Sequence, residues 1–326
     1  MSLAKARRLN PRQVATDVVA RLDVAQWCAQ VDIAGAGFLN FRLRPEAVAE
    51  ALAAAVRGEH LFFERASQPR TVVVDFSSPN VAKPMHVGHI RSTILGAALT
   101  RAFRLLGHRV ITDNHLGDWG TQFGKLLVGW KKQLNPDALK ADPIGEMERL
   151  YRTVNEACET NPAVLEEARL ELVKLQSGDA VNLGIWREMI TLSAVQFDAI
   201  YARLNVRFDY TLGESFYNPR LAGVVQKLIA LGLAQESDGA IVVFFPDNPA
   251  LKTHPALIRK SDGAFNYTTT DLATIEYRLE QWHPDEIVYV TDGRQQLHFQ
   301  QLFAIFRRWY PQATVRLEHV WFGAIL

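Results

Sequence analysis

The sequence predicts an α/β fold, in which a doubly wound parallel sheet carries insertions and follows a smaller α+β segment. Residues 71–76 form a short, apolar and β-branched run, which is typical of a buried parallel strand. A polar turn follows, and then a helical spacing of apolar residues that ends at Gly107. A second β-branched run over residues 108–112 completes a strand–helix–strand unit, which belongs in a parallel sheet.

The composition is that of an intracellular globular protein. The 326 residues are 48% hydrophobic and 22% charged, with a formal net charge of +1. No strongly basic field indicates a nucleic-acid partner, although a local patch remains compatible with RNA. Cys28 and Cys158 belong to no paired motif, which suits a reducing compartment. The first residues lack the apolar core of a signal peptide, and no apolar run reaches membrane-spanning length. We expect a cytoplasmic protein with no membrane partner.

Local signals divide the chain into two domains. Asn10 before Pro11 predicts a helix start, and residues 39–43 alternate in polarity as a strand does. We therefore expect residues 1–68 to form a partial N-terminal α+β domain. Residues 69–326 are expected to form the domain that contains the sheet.

Two insertions are expected within the sheet domain. Residues 124–202 are rich in Leu, Glu and Ala and carry few strand signals, which predicts helices. Residues 220–263 predict a small α+β insertion, with a helix over residues 224–231 and a strand over residues 240–245 that lies near Asp-Gly turns. The sheet is then expected to resume with a strand over residues 286–291, a helix over residues 296–309 and a last strand over residues 314–322.

The His86-Val87-Gly88-His89 tetrad stands where the polar turn gives way to the first predicted helix. Spaced three residues apart, the two imidazoles can project from one face of the first helical turn, where free main-chain N–H groups also favour phosphate. Gly88 leaves room for a flat purine against the backbone. The alternatives are two surface histidines or half a metal site. A zinc site needs a third ligand and a spacing that the tetrad lacks, so we expect no bound metal.

The turn before the tetrad offers further ligands. Lys83 can act as a movable point charge for phosphate, although a solvated loop lysine is the commoner case. Ser78 and Asn80 follow the carboxyl end of the first strand, where ligands gather in open α/β sheets. Ser and Asn are also ordinary turn residues, so their position alone leaves both interpretations open.

Two later segments have the character of specificity elements. Tyr267 and Asp271 are four residues apart, which places a phenol and a carboxylate on one side of a helical turn. A carboxylate facing a site suits a guanidinium or an ammonium group, although Asp271 can instead be a plain helix N-cap. Residues 291–299 follow a buried strand, where another ligand-binding loop is expected, and residues 114–124 carry three glycines at the end of the second strand.

Taken together, these segments resemble the class I aminoacyl-tRNA synthetases, and the arginyl family in particular. The tetrad resembles the His-Ile-Gly-His signature of that class, and residues 77–92 resemble its arginine-specific form. Residues 117–124, 267–271 and 294–298 resemble further family motifs and occur in the same order. Residues 37–43 are similar to the end of the family's N-terminal additional domain.

This resemblance implies a Rossmann-like catalytic domain that activates L-arginine with ATP, accompanied by Mg²⁺, and transfers it to tRNA(Arg) as a monomer. By position, it implies that ATP is bound by His86, Gly88, His89 and Lys83, of which the two histidines and Lys83 are catalytic. It implies that Ser78, Asn80 and Gln295 hold the amino and carboxyl groups of arginine. It further implies that Tyr267 and Asp271 bind the guanidinium.

The chain departs from the family pattern at both ends. It begins in the middle of the additional domain and stops before the second signature loop, so that loop and the anticodon-binding domain are expected to be absent. We therefore expect weak binding of ATP or arginine and poor charging of tRNA. Two other interpretations remain: a non-catalytic synthetase-like fragment that binds tRNA or a partner, and a nucleotidyltransferase of the same superfamily.

Overall fold

A computed structural model describes Ala4, residues 8–59 and residues 64–323. The predicted departures from the family pattern at the two ends of the chain concern residues that lie almost wholly outside the described ranges. The chain divides into two compact units, Met1–Arg65 and Ala66–Leu326. No helix within the described part of the chain is long and apolar enough to cross a membrane.

The first unit contains α1 (Pro11–Val19), β1 (Cys28–Ala34), β2 (Phe38–Leu43) and α2 (Pro45–Val56), and its two strands pair in antiparallel fashion. As predicted, the side chain of Asn10 caps α1, with its Oδ1 accepting from the main-chain N–H of Arg12. The helix ends at Val19. Sequence reasoning missed β1.

The second unit holds the remaining elements. In chain order these are β3 (Thr71–Phe76), α3 (Val87–Leu105), β4 (Arg109–Asp113), α4 (Gln122–Gln133), α5 (Pro136–Ala141), α6 (Pro143–Thr160), α7 (Pro162–Gln176), α8 (Ala180–Leu204), α9 (Glu214–Ala230), β5 (Gln235–Ser237), β6 (Ala240–Val243), β7 (Ala256–Arg259), α10 (Tyr267–Trp282), β8 (Glu286–Asp292), α11 (Gln296–Trp309) and β9 (Arg316–Phe322).

A four-stranded parallel sheet organises this unit, in the order β4-β3-β8-β9. Val74 in the central strand β3 pairs with Thr112 on one side and Val288 on the other. Val72 and Val74 are fully buried, as is Val73 between them, because strands of such a sheet are covered on both faces. The predicted parallel α/β sheet is thus confirmed. All four strands end at one edge, called here the carboxyl edge, and this edge positions the candidate site.

Residues 124–202 are helical, as predicted. Three successive helices begin at an Asn-Pro or Asp-Pro pair, in which the side chain of Asn135, Asp142 or Asn161 caps the helix and the proline occupies its first turn. A separate apolar core forms between these helices around Phe123, Leu127, Met147, Leu150 and Met189.

Residues 220–263 combine a helix with an antiparallel sheet of order β5-β6-β7, as predicted in outline. The helix α9 begins at Glu214 rather than near residue 224, and Pro219 lies inside it, beyond the first turn, where it removes one main-chain hydrogen bond. Strand β6 ends at Val243, two residues before the predicted end. The Asp238-Gly239 pair, with φ of 51° and 76°, forms the tight turn between β5 and β6.

Candidate active site

The loops that follow β3 and β4 pair with each other at the carboxyl edge. Asn80 and Gly117 form a parallel bridge. The main-chain N–H of Val81 donates to the carbonyl of Gly117 at 3.1 Å, and the N–H of Gly117 donates to that of Pro79 at 3.1 Å. A Cβ at position 117 would collide with the side-chain oxygen of Asn80, so this close approach requires glycine. Gly117 therefore serves to join the two loops.

The predicted ligands Ser78 and Asn80 differ in their surroundings. The hydroxyl of Ser78 donates to Asp75 Oδ1 at 3.2 Å, and its main-chain N–H donates to Asn114 Oδ1 at 3.0 Å. Asn80 is exposed. Ser77 and Ser78 both have positive φ, 76° and 48°, a strained conformation that is held here by these side-chain contacts.

The imidazoles of His86 and His89 stack at the start of α3, with ring centroids 3.8 Å apart. His86 is the N-cap, and its Nδ1 accepts from the N–H of Gly88 at 3.1 Å. Nδ1 of His89 accepts from the N–H of His86 at 3.3 Å. The main-chain N–H groups of His86 and Gly88 are therefore occupied, and phosphate contact at the start of α3 stays a prediction. Since each Nδ1 accepts, the ring proton lies on Nε2, which makes each imidazole a donor.

Burial, with a smaller contribution from the neighbouring His86, lowers the pKa of His89 to about 4, so His89 is neutral at physiological pH. Gly88 has a structural role that sequence reasoning did not predict. A Cβ at this position would lie 2.9 Å from Cε1 of His86, so the room left by the glycine is used by the His86 ring. Adenine contact at Gly88 stays a prediction.

The ammonium group of Lys83 lies 5.0 Å from the centroid of the Tyr151 ring in α6, and Lys125 approaches the same ring at 6.0 Å. The turn before the tetrad thus contacts the helical segment. Phosphate binding by Lys83 stays a prediction.

Asp271 lies in the second turn of α10, whose N-cap is Asn266, so the alternative interpretation of Asp271 as an N-cap is wrong. His298 in α11 donates from Nε2 to Asp271 Oδ2 at 2.6 Å. Nε2 of His115, from the loop after β4, lies 4.0 Å from the other oxygen, Oδ1. Tyr267 packs edge-on against His298, with centroids 4.7 Å apart. The structure thus brings together the predicted pair, Tyr267 and Asp271, through a histidine.

Sequence reasoning missed two further carboxylates, of which Glu214 interacts electrostatically with Asp271. Burial raises the pKa of Glu214 to about 7; His115 opposes this shift, while Asp271 and Asp118 add to it. Burial also raises the pKa of Asp118, whose oxygens accept from the main-chain N–H and the hydroxyl of Ser215 at 2.8 and 2.6 Å. Asp118 thereby caps α9 and fixes Glu214 at the first position of the helix.

Gln295 ends a short 3-10 turn between β8 and α11 and is exposed. Because β8 is parallel to β3, this turn lies at the same carboxyl edge as Ser78. The residue is therefore at the expected edge, and its contact with an amino acid stays a prediction.

A buried ion triad lies beneath this edge. Nη2 of the fully buried Arg278 donates to Asp75 Oδ2 at 2.5 Å and to Asp113 Oδ2 at 2.8 Å. Burial opposes the charge of Arg278, but the two carboxylates outweigh it and raise the pKa of the guanidinium further above its ordinary value. The triad joins α10 to the ends of β3 and β4, and hence Asp271 to the turn that carries Ser78.

Comparison with known proteins identifies the fold and the family. Residues 49–326 match the family described as "tRNA synthetases class I (R), catalytic domain", and residues 1–43 match "Arginyl tRNA synthetase N terminal domain". The chain belongs to the class I arginyl-tRNA synthetase family. The family match also confirms the predicted fold class, a class I catalytic domain built on a parallel sheet.

Relatives within the family cover this chain almost completely. The arginine–tRNA ligase of Fusobacterium nucleatum is 40% identical over 318 residues, which are 97% of this chain and 54% of the relative. That of Thermosynechococcus vestitus is 44% identical over 333 residues, covering 100% of this chain and 56% of the relative. The crystal structure of arginyl-tRNA synthetase from Plasmodium falciparum has a TM-score of 0.70 at 29% identity, covering 99% of this chain and 57% of that one. The chain thus spans about half the length of these relatives.

Proposed function

We propose that this chain provides the site at which L-arginine is activated by ATP to arginyl-adenylate, before transfer to tRNA(Arg) by the whole protein. One observation carries the proposal. The Asp271 carboxylate is held by His298 at the carboxyl edge of a parallel sheet, with a second carboxylate, Glu214, close by. This is a setting that suits a delocalised cation.

The guanidinium of arginine is proposed to lie between Asp271, Glu214 and Tyr267. Because His298 occupies Oδ2 of Asp271, the free oxygen is Oδ1, and the ionised carboxylate of Glu214 supplies the second acceptor. Two acceptors match the planar fork of a guanidinium. The ammonium of lysine is a point charge and would leave one buried acceptor unpaired.

Ser78, Asn80 and Gln295 are proposed to hold the α-amino and carboxyl groups of arginine. All three lie on loops at the carboxyl edge, which leaves the arginine carboxylate between them and the start of α3. Asn80 and Gln295 are exposed and can form these contacts without losing an internal partner.

ATP is proposed to bind at the start of α3 through the Nε2–H donors of His86 and His89, with Lys83 as a movable cation and Gly88 below the base. Mg²⁺ would accompany ATP on its phosphate oxygens. The arginine carboxylate attacks the α-phosphorus in line and pyrophosphate leaves, so the protein contributes positioning and electrostatic stabilisation. Donors on neutral imidazoles stabilise the charge that develops on the phosphate oxygens.

The whole protein is proposed to act on tRNA(Arg) as a cytoplasmic monomer. For the chain itself, the decisive experiment is an equilibrium titration with L-arginine and with Mg·ATP, repeated for Asp271→Ala and His89→Ala. The expected result is a crossed pattern, in which the first variant binds arginine more weakly and keeps its ATP affinity, and the second binds ATP more weakly and keeps its arginine affinity. Absence of arginine binding by the wild-type chain would refute the proposal.

A further inference from the structure

A hydrogen-bonded network of buried hydroxyl groups supports the strained turn between β3 and α3. The hydroxyl of Tyr201, in the last turn of α8, lies 2.8 Å from Ser77 Oγ and accepts from Asn114 Nδ2 at 3.1 Å. Thr93 Oγ1, in α3, lies 2.8 Å from Ser77 Oγ and 2.7 Å from the carbonyl oxygen of His89. The side chains of all four polar partners are buried.

The protons of this network can be assigned from its fixed ends. At one end the Asn114 amide donates to Tyr201, and at the other end the His89 carbonyl can only accept. Burial raises the pKa of Tyr201 to about 12, so its hydroxyl keeps its proton and donates to Ser77. Thr93 Oγ1 donates to Ser77 Oγ or to the carbonyl of His89, and its single proton serves one of the two at a time. The network is thus continuous from Asn114 to the first turn of α3.

The two branches of this network reach the two halves of the proposed site. Through Asn114, whose Oδ1 accepts from the main-chain N–H of Ser78, Tyr201 reaches the residue that has the positive φ of 48°. Through Ser77 and Thr93, it reaches the first turn of α3, which carries the stacked histidines.

We propose that Tyr201, contributed by the helical insertion, is a positioning residue that fixes the arginine-binding turn relative to the ATP-binding turn. The inference rests on the proposed function of the two turns. Tyr201 touches neither substrate in this role; its hydroxyl holds the Ser77-Ser78 turn in the strained conformation and thereby preorganises the site. Through this network the helical insertion is connected to the residues that are proposed to bind arginine and ATP.

The test is Tyr201→Phe, which removes the hydroxyl alone. The variant keeps the ring and its edge-on packing against Phe208, whose ring centroid lies 5.0 Å from that of Tyr201. We expect L-arginine to bind about tenfold more weakly, the order expected when a preorganised site loses one hydrogen bond that holds it. The matched control is Tyr310→Phe, which removes a hydrogen bond to Glu276 at 2.9 Å. The control should leave the dissociation constant for arginine within about twofold of wild type, although it loses a hydrogen bond of the same kind.

A double-mutant cycle separates positioning from general destabilisation. Thr93→Val interrupts the same chain at a different link, so the double variant with Tyr201→Phe should bind arginine about as weakly as either single variant, whereas independent effects would multiply. Wild-type binding with an unaffected Tyr201→Phe variant, or multiplicative losses in the cycle, would overturn the positioning role alone. A wild-type chain that binds no arginine would instead overturn the proposed function, and with it this inference.

Discussion

The substitution Asp271→Asn keeps the shape of the side chain and removes its charge, which makes it the sharpest perturbation of the proposed guanidinium site. The amide oxygen can still accept from His298, so the 2.6 Å contact and the orientation of the side chain are preserved. The substitution replaces Oδ1, the acceptor that faces the ligand, by an amide NH2 group, and it removes the negative charge that the two carboxylate oxygens share.

The magnitude follows from the number of free oxygens. His298 occupies Oδ2, which leaves a single charge-assisted bond to arginine rather than a bidentate pair. Hydrogen bonds to charged groups contribute about 1.5–3 kcal/mol, and the Asp271 side chain is 22% exposed, so solvent prevents full strengthening by a low dielectric. A loss of about 2 kcal/mol raises the dissociation constant for L-arginine about 30-fold.

Isothermal titration calorimetry of the chain with L-arginine, and separately with Mg·ATP, measures this effect. The matched control is Glu280→Gln, on the same helix, which removes an exposed carboxylate that pairs with Arg220 at 2.8 Å. The control should bind arginine within about twofold of wild type, because exposed pairs contribute little. An Asp271→Asn variant with an arginine affinity within about threefold of wild type would refute the reasoning, since one lost charge-assisted bond exceeds that.

Four further outcomes are expected. Because the pKa of Glu214 is about 7 and only its charged form attracts a guanidinium, arginine affinity should rise with pH through neutrality in calorimetric titrations, and Glu214→Gln should abolish the rise. The same raised pKa means that the folded state keeps a proton which the unfolded state loses, so stability should fall as the pH rises from about 4.5 to about 7. Urea unfolding should show a smaller fall for Glu214→Gln, and an identical fall would contradict the assignment. His89→Ala removes one Nε2–H donor and should weaken ATP binding about tenfold while leaving arginine binding nearly unchanged; equal losses for both ligands would argue against a phosphate role. Arg278→Met leaves Asp75 and Asp113 buried without their cation and should cost about 3–5 kcal/mol in urea unfolding, and a cost below about 1 kcal/mol would show that the triad is not stabilising.

Much of the fold follows from local sequence signals. The strands β3, β4 and β8 were predictable because a strand buried on both faces must be continuously apolar and β-branched. The start of α9 was not predictable from the same signals, because Pro219 usually marks a boundary and here lies inside the first turns of the helix. Strand β1 was not predicted because its residues are only partly buried, so apolar and polar residues alternate only weakly along it.

The site was predictable in part. The motif residues Ser78, His86, His89 and Asp271 all lie at or near the carboxyl edge, because spacing and strand ends determine which side chains share an edge. The partners of these residues come from distant segments, and no local pattern announces them. Glu214 opens a helix 57 positions before Asp271 in the sequence, and only the fold places the two carboxylates together. The occupied main-chain N–H groups of His86 and Gly88 were likewise not predictable from the sequence, because capping by imidazole depends on rotamers.

The central claim is that this site recognises arginine by the charge and the fork of its guanidinium. The most direct test is calorimetric titration of the wild-type chain with L-arginine, L-citrulline and L-lysine, since citrulline keeps the shape of the side chain without its charge and lysine keeps the charge without the fork. Arginine should bind at one site per chain, and both analogues should bind at least about 30-fold more weakly, because each leaves a carboxylate without its partner. Equal affinity for arginine and either analogue would contradict the account.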